Sequence, residues 1–368
     1  MTADRLGHLR GRQAAMIEAL GALVAIESPS SDPPGLAACA DAIGDLLGDR
    51  VGRRPAAVGA HLRWSGGGPP QVVVIGHFDT VWPLGTLARR PFDVTGGVAR
   101  GPGTVDMKAG IVQAVEALAA LADPSGVDLV LTADEELGSQ TSRALVEAAV
   151  AGARAALVLE PAAPGGALKT ARKGTGMYTL RILGRAAHAG NEPERGANAL
   201  VALSELILAA ARLGRPELGT TVTPTMAAAG TASNVVPAVA SAELDVRVAV
   251  PGEAERVDAD VRALSPTVPG TSLVVEGGPN RPPMPESASA ALMARARACA
   301  ERLGLPPLAG VAVGGGSDGN FTAALGVPTL DGLGGVGGGA HADDEHVLVA
   351  AMPERAALLA ELIDDLRA

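Results

Sequence analysis

The sequence predicts an α/β fold, with helices around a central, mostly parallel sheet and a smaller α+β unit inserted into it. Three observations predict this. Short apolar runs at 71–76, 127–132 and 155–159 alternate with segments of helical periodicity. Each run ends at or beside a polar residue, which suits buried parallel strands whose carboxyl ends carry a site. Near Lys173-Gly174 the pattern changes to alternating strands, and after Pro285 the first style returns.

Residues 12–28 have helical spacing, and the Pro29 to Pro34 stretch breaks it. Ala37 to Leu47 reads as a second helix. Gln71 to Gly76 (QVVVIG) reads as a strand ending at His77, and Asp106 to Ala122 as a helix. Val127 to Thr132 is a strand leading to Asp134-Glu135-Glu136, Ser142 to Ala151 a helix, and Ala155 to Leu159 a strand ending at Glu160. In the insert, Thr175 to Leu183, Thr221 to Ala229, Ala238 to Val250 and Ser272 to Glu276 read as strands. Gly196 to Leu213 and Glu253 to Leu264 read as helices. Gly277 to Pro285 looks like a linker. Helices at 289–303, 318–325 and 351–367, with a strand near 309–313, complete the first style. The expected division is therefore a discontinuous catalytic domain, 1–174 and 285–368, interrupted by 175–284. The glycine cluster 332–339 is the most flexible-looking stretch, and it precedes His341.

A chain of 368 residues, 47% of them hydrophobic, can bury a sizeable core in two domains. Aromatics are few (three Phe, two Trp, one Tyr), so Val, Leu, Ile and Ala must fill it. The formal net charge is -10 and the basic residues are scattered, which argues against nucleic acid as a partner. No apolar signal segment follows Met1 to Arg5, apolar runs are too short to span a membrane, and Cys39 and Cys299 read as small core residues. A soluble, cytoplasmic protein is expected.

The chemistry gathers at the strand ends. His77 can ligate a metal with Asp79 orienting its ring, or it can be a surface histidine beside a capping Asp. Asp106, in Gly101-Pro102-Gly103-Thr104-Val105-Asp106-Met107-Lys108, can cap a helix or bridge two cations. Asp134-Glu135-Glu136 is either a solvated loop or a cluster needing a cation, in which one Glu binds metal and its neighbour moves a proton. Glu160 and His341 complete the set. Two imidazoles with carboxylates suit borderline divalent ions, zinc first, with cobalt or manganese as substitutes. Calcium and magnesium prefer oxygen ligands. Phe78, Trp82 and Pro83 can wall a pocket or pack their loop onto the sheet. Asp343, Asp344, Glu345 and His346 read as a solvated loop or helix start, with a regulatory ion site as an alternative. His8 and His61 have no assigned partner. GGVGGGAH and VGGGSDG lack a Walker lysine, so a nucleotide site is not supported.

These stretches resemble the M20 family of metallopeptidases, and within it the glutamate carboxypeptidase (carboxypeptidase G2-like) group. The resemblance rests on GHFDTVWPLGT (76–86), GPGTVDMKAG (101–110), TADEELGS (132–139), LEP (159–161), GRAAHAG (184–190), ASNVVPA (232–238), LDVRV (244–248), GGGSDG (314–319) and the His341 region. It implies a di-zinc exopeptidase-type catalytic domain and a ferredoxin-like dimerisation or lid insert. It also implies that His77 and Glu160 bind one metal, His341 and Glu136 the other, and that Asp106 bridges them. Asp79 would support His77, and Glu135 would activate water and protonate the leaving amine. His188 would reach across a homodimer to stabilise an oxyanion. Asn234, Arg247, Gly316 and Ser317 would face the substrate carboxylate. The family often has a bulky residue before the last metal histidine, where this chain has Ala340, which would enlarge the pocket.

The expected activity is hydrolysis of an amide bond next to a C-terminal amino acid in a peptide or N-acyl amino acid. The rivals are an N-acyl-amino-acid deacylase or dipeptidase using the same centre, and a non-catalytic metal-dependent binding or scaffold protein.

Overall fold

The structure, a computed structural model, describes residues 2–368. It divides into two compact units. The first comprises the described residues to Ala171 together with Glu286–Val313 and Ser317–Ala368. The second comprises Arg172–Pro285 and Gly314–Gly316.

The first unit is built on a six-stranded sheet. Its spatial order is Ala56–Val58, His61–Ser65, Val127–Thr132, Val72–His77, Ala155–Val158 and Thr329–Leu330. The last four run parallel, and His61–Ser65 lies antiparallel on Val127–Thr132. The apolar runs are continuous because both faces are covered. Val72, Val74, Val127, Leu129, Leu131, Ala155 and Leu157 enter the large core, which also holds residues of the helices Gln13–Val24, Pro33–Val51, Ala109–Ala119, Glu286–Arg302 and Ala351–Arg367. Val73, Ile75, Val130 and Ala156 point the other way, into a smaller core with Val146, Ala149 and Val150. His77 pairs in register with Thr132, so the strands end together at one edge.

The second unit runs strand–helix–strand–strand–helix–strand from Gly174 to Arg281. Its antiparallel sheet has the order Thr221–Ala229, Val239–Val248, Gly174–Leu183, Ser272–Arg281, a ferredoxin-like arrangement. One face packs on the helices Ala199–Ala211 and Glu253–Arg262, with Leu180, Ile182, Leu203, Leu206, Leu244, Val246, Val257 and Val261 buried. The other face is more exposed, so these strands alternate in polarity.

Several elements depart from expectation. The helix read from Asp106 begins at Ala109. Thr104–Lys108 is an irregular turn, with Asp106 at φ −116°, ψ 91° and a cis Asp106–Met107 peptide. The strand read as 272–276 continues to Arg281 through half of the expected linker, because Pro279 lies on an edge strand beside a register shift. The glycine cluster is not loose, since Asp331 to Gly335 are buried. A Cβ on Gly334 would lie 2.0 Å from the Leu159 carbonyl oxygen, so glycine permits this close approach behind Glu160. His346–Leu348 is a strand rather than a helix start, in a small sheet with Gly337–Gly338, Val98–Arg100 and Asp93–Thr95. Cys39 and Cys299 are buried and free. Among the described residues, no helix is long and apolar enough to cross a membrane.

In the second unit, Glu253 opens its helix and accepts hydrogen bonds from Arg256, Thr220 and Arg215. The Arg256 contact leads in holding its carboxyl at a pKa of about 2, against the opposing effect of burial. A depressed carboxylate pKa stabilises the fold above the unfolded value of about 4.3 and loses that contribution as pH falls through the folded value. Glu253→Gln should therefore be less stable than the parent at pH 6, with the gap closing towards pH 2. Urea unfolding at a series of pH values checks this, and a gap independent of pH would contradict it.

Candidate metal centre

Asp106 stands at the middle of the cluster. Its Oδ1 lies 3.2 Å from His77 Nε2 and its Oδ2 lies 3.4 Å from His341 Nε2. Each carboxylate oxygen thus faces a different imidazole. A second carboxylate joins each side. Glu160 Oε1 lies 3.5 Å from His77 Nε2, and Glu136 Oε1 lies 3.2 Å from His341 Nε2. Glu135 can bring a ligand atom within 4.8 Å of those of His77 and Glu160, and Glu136 within the same distance of those of His77 and Asp106.

Local structure delivers each group. His77 is the last residue of its strand. Its Nδ1 lies 3.0 Å from the Asp79 carbonyl oxygen. A carbonyl only accepts, so Nδ1 carries the hydrogen and Nε2 is left to face the cluster. Asp79, fully buried, accepts from the amides of Glu135 and Glu136, both at 3.2 Å, and from Ser30 Oγ at 2.7 Å. It therefore fixes the Glu135–Leu137 turn as well as the imidazole. Asp134 turns away and accepts from Thr141 N and Oγ1 at 2.6 and 2.7 Å. Gly103, at φ 73°, makes the turn before Asp106, where a Cβ would meet Thr80 at 2.7 Å. Glu160 follows the strand Ala155–Val158, and Lys169 Nζ lies 3.9 Å from its Oε2. His341 has a left-handed backbone, φ 62°, and is half-exposed.

The field of the cluster favours positive charge. Burial opposes charging His77, but Asp106, Asp79 and Glu160 outweigh it and hold its pKa well above the usual value. Asp106, then Glu136, lift His341 to about 10. Burial is the largest influence on Asp106 and would raise its pKa, but the two imidazoles overcome it and depress the carboxyl strongly. Burial pushes the Glu136 carboxyl up. Carboxylates crowded around two imidazole nitrogens fit borderline divalent cations.

Other residues near the centre carried no distinct signal. Glu345 is buried, not solvated as its Asp-Asp-Glu context suggested, whereas Asp343 and Asp344 are exposed. Lys108 is buried, and its Nζ donates to the Leu23 and Ile26 carbonyls at 3.0 and 2.7 Å, strapping the Asp106 turn to a helix end. His61 Nδ1 accepts from Ala133 N and its Nε2 meets Thr141 Oγ1, both at 3.1 Å, so it braces the end of a strand. Phe78 is buried and packs its loop, while Trp82 donates to Glu345 at 2.8 Å.

Of the expected substrate-facing residues, Ser317 is buried in the first unit and donates from Oγ to Asp331 at 2.6 Å. Gly316 lies in the second unit, where its carbonyl accepts from Arg172 at 3.2 Å. His188 and Asn234 occupy adjoining segments there, with Ala189 N donating to Asn234 O at 2.9 Å. His188 Nδ1 accepts from Gly190 N and Asn191 N at 3.1 Å, which leaves Nε2 with the hydrogen. Arg247 forms a two-point ion pair with Asp245 at 2.7 and 2.8 Å.

An α/β unit whose strand ends converge on imidazoles and carboxylates defines a metal-dependent hydrolase architecture. The chain matches the model of peptidase family M20/M25/M40 over residues 73–365 and belongs to that family. It is 33% identical to carboxypeptidase G2 of Pseudomonas sp. (strain RS-16), with 97% of this chain and 90% of that protein covered. It is 29% identical to succinyl-diaminopimelate desuccinylase of Methylorubrum populi, covering 80% and 82%. Aminopeptidase PepT of Bacillus cereus shares the fold, with a TM-score of 0.76, 22% identity and coverage of 97% and 99%. Peptidases of this family are dinuclear metal enzymes.

Replacing Asp79 by Ala leaves the amides of Glu135 and Glu136 without their acceptor. The expected cost is about 2–6 kcal/mol of stability, since each of the two donors left unsatisfied costs about 1–3 kcal/mol. Metal affinity should fall about 10–100-fold, as for other groups that orient a ligand. Urea unfolding and zinc titration measure the two effects, and an Asp79→Ala protein with parental metal affinity would show that the clamp is dispensable.

Proposed function

We propose that this protein is a two-metal carboxypeptidase that hydrolyses the amide bond preceding a C-terminal amino acid, with glutamyl substrates the first to test. One observation carries the two-metal centre of this reading: Asp106 turns each of its oxygens to a different imidazole, each accompanied by a further carboxylate. In this reading His77 and Glu160 hold one ion, His341 and Glu136 the other, and Asp106 both. The ions, zinc first, supply Lewis acidity and lower the pKa of water when bound.

The remaining work falls to the chain. Glu135 takes the proton of the attacking water and returns it to the departing nitrogen. Asp79 holds the backbone of Glu135 and the ring of His77. His188 presents its Nε2 hydrogen to the oxyanion, a role supported by the two amides that occupy its Nδ1. We assign that contact to a homodimer in which His188 serves the partner's centre. Asn234, Gly316 and Ser317 are the proposed neighbours of the substrate carboxylate. Arg247 belongs with them only if its pair with Asp245 opens on binding. The free, buried cysteines suit a cytoplasmic protein.

The carboxypeptidase reading is supported by the 33% identity to carboxypeptidase G2 across nearly the whole chain. A second reading, N-acyl-amino-acid deacylase, is favoured by the similarity to a desuccinylase, whose name denotes removal of an acyl group. A panel of folyl-type glutamate conjugates, dipeptides and N-acyl amino acids, run on metal-reconstituted protein, separates them. Glu135→Gln should keep its metal content and lose about 10²–10⁴-fold in turnover. Near-parental turnover in metal-loaded Glu135→Gln would remove Glu135 from the mechanism.

A further inference from the structure

The Glu345 carboxylate is 1% exposed and receives four N–H groups. Oε1 accepts from Val105 N at 3.0 Å and Asp106 N at 3.1 Å. Oε2 accepts from Gly103 N and Trp82 Nε1, both at 2.8 Å. Three of these donors belong to the turn that carries Asp106, and one is Asp106's own amide. The backbone there is not helical, so these amides depend on Glu345 rather than on a helix.

The position of Glu345 in the chain adds to this. It lies four residues after His341, and the intervening segment is held by tight turns, Ala342 N to Gly339 O at 2.8 Å and Glu345 N to Ala342 O at 3.0 Å. One short segment therefore brings an imidazole to Oδ2 of Asp106 and a carboxylate to the backbone of the same residue. Trp82, five residues after His77, ties in the third loop. Arg90 stacks over the Trp82 ring at 4.4 Å and donates to the Ala342 carbonyl at 3.3 Å. The loop that follows His77, the turn carrying Asp106 and the loop carrying His341 all meet at one buried carboxylate.

We propose that Glu345 is a positioning residue that sets the place of Asp106 between the two imidazoles and so governs occupancy of both metal positions. The inference rests on the reading of Asp106 as the shared ligand. It requires a carboxylate specifically. Gln has one acceptor oxygen and a donor NH₂ in place of the second oxygen, so two of the four N–H groups would lose their acceptor and face a donor. A residue that only filled space would tolerate this isosteric change.

The experiment titrates the metal-free 368-residue chain with zinc, counting bound ions and measuring affinity, with Trp emission recorded alongside. Glu345→Gln should bind zinc about 10–100-fold more weakly, lose its second equivalent at concentrations that saturate the parent, and change the emission of Trp82. Glu345→Asp keeps the charge but is one methylene too short for all four donors. It should fall between parent and Gln, and it serves as the test if the Gln protein does not fold. Two equivalents bound with parental affinity in either folded variant would overturn the inference. The parent and Asp106→Asn act as controls. If the parent does not bind two ions, or Asp106→Asn binds as the parent does, the underlying reading of the centre fails. If those controls behave and Glu345→Gln also binds as the parent does, only the positioning role fails.

Discussion

The sharing of one carboxylate between two imidazoles is the constraint on which the rest of the first unit depends. Carboxylates crowded together repel, and the crowding at 106, 135, 136 and 160 is tolerable only if positive charge lies among them. The lifted pKa of His341 and His77 and the depressed one of Asp106 express that demand. The parallel strands then become necessary as well as convenient. Val72–His77, Val127–Thr132 and Ala155–Val158 are fixed in register by interdigitated aliphatic side chains on both faces. That rigidity aims groups distant in sequence at one spot. The turns beyond the strands, which carry Asp106, Glu135 and Glu136, need buried contacts of their own to stay in place.

A second set of carboxylates works on the backbone. Asp79 holds the amides of Glu135 and Glu136, Asp134 holds Thr141, and Glu345 holds the turn at Asp106. Each is buried and each accepts N–H groups that the adjacent strand or helix leaves unused. Part of the chain's formal charge of -10 is therefore structural. At these three residues amide dipoles take up buried charge, whereas Glu116, Asp128 and Glu361 are met by arginines.

The legibility of these features in the sequence follows from physics. Val72 to His77 and Val127 to Thr132 could be read because a strand covered on both faces must be apolar throughout, and few other contexts demand that. The polar residues at their ends stand out against those runs for the same reason. The start of the helix after Asp106 was not legible, since a residue that caps a helix and one that sits in an irregular turn before it share the same glycine-rich approach. Glu345 was hidden because nothing in Asp343-Asp344-Glu345 says which carboxylate turns inward. That choice is made by the pairing of His346–Leu348 with Val98–Arg100, a contact remote in sequence. The glycine cluster 332–339 is ambiguous because flexibility and close approach require the same residue, and contacts such as the Leu159 carbonyl against Gly334 and the His346 carbonyl against Gly337 distinguish them.

The relatives bear names denoting different reactions, yet they match this chain over most of its length. A centre common to such a family sets the bond-breaking chemistry and says little about which amide is broken. Discrimination must come from residues that touch the substrate without binding metal. In the first unit two side chains border the cluster without belonging to it. Ala340 is exposed beside His341 and places almost no bulk there. Lys169 brings its ammonium 3.9 Å from Glu160 Oε2, so its charge is turned to that carboxylate. What separates the relatives' named reactions therefore lies in groups beyond the shared cluster, which both names have in common.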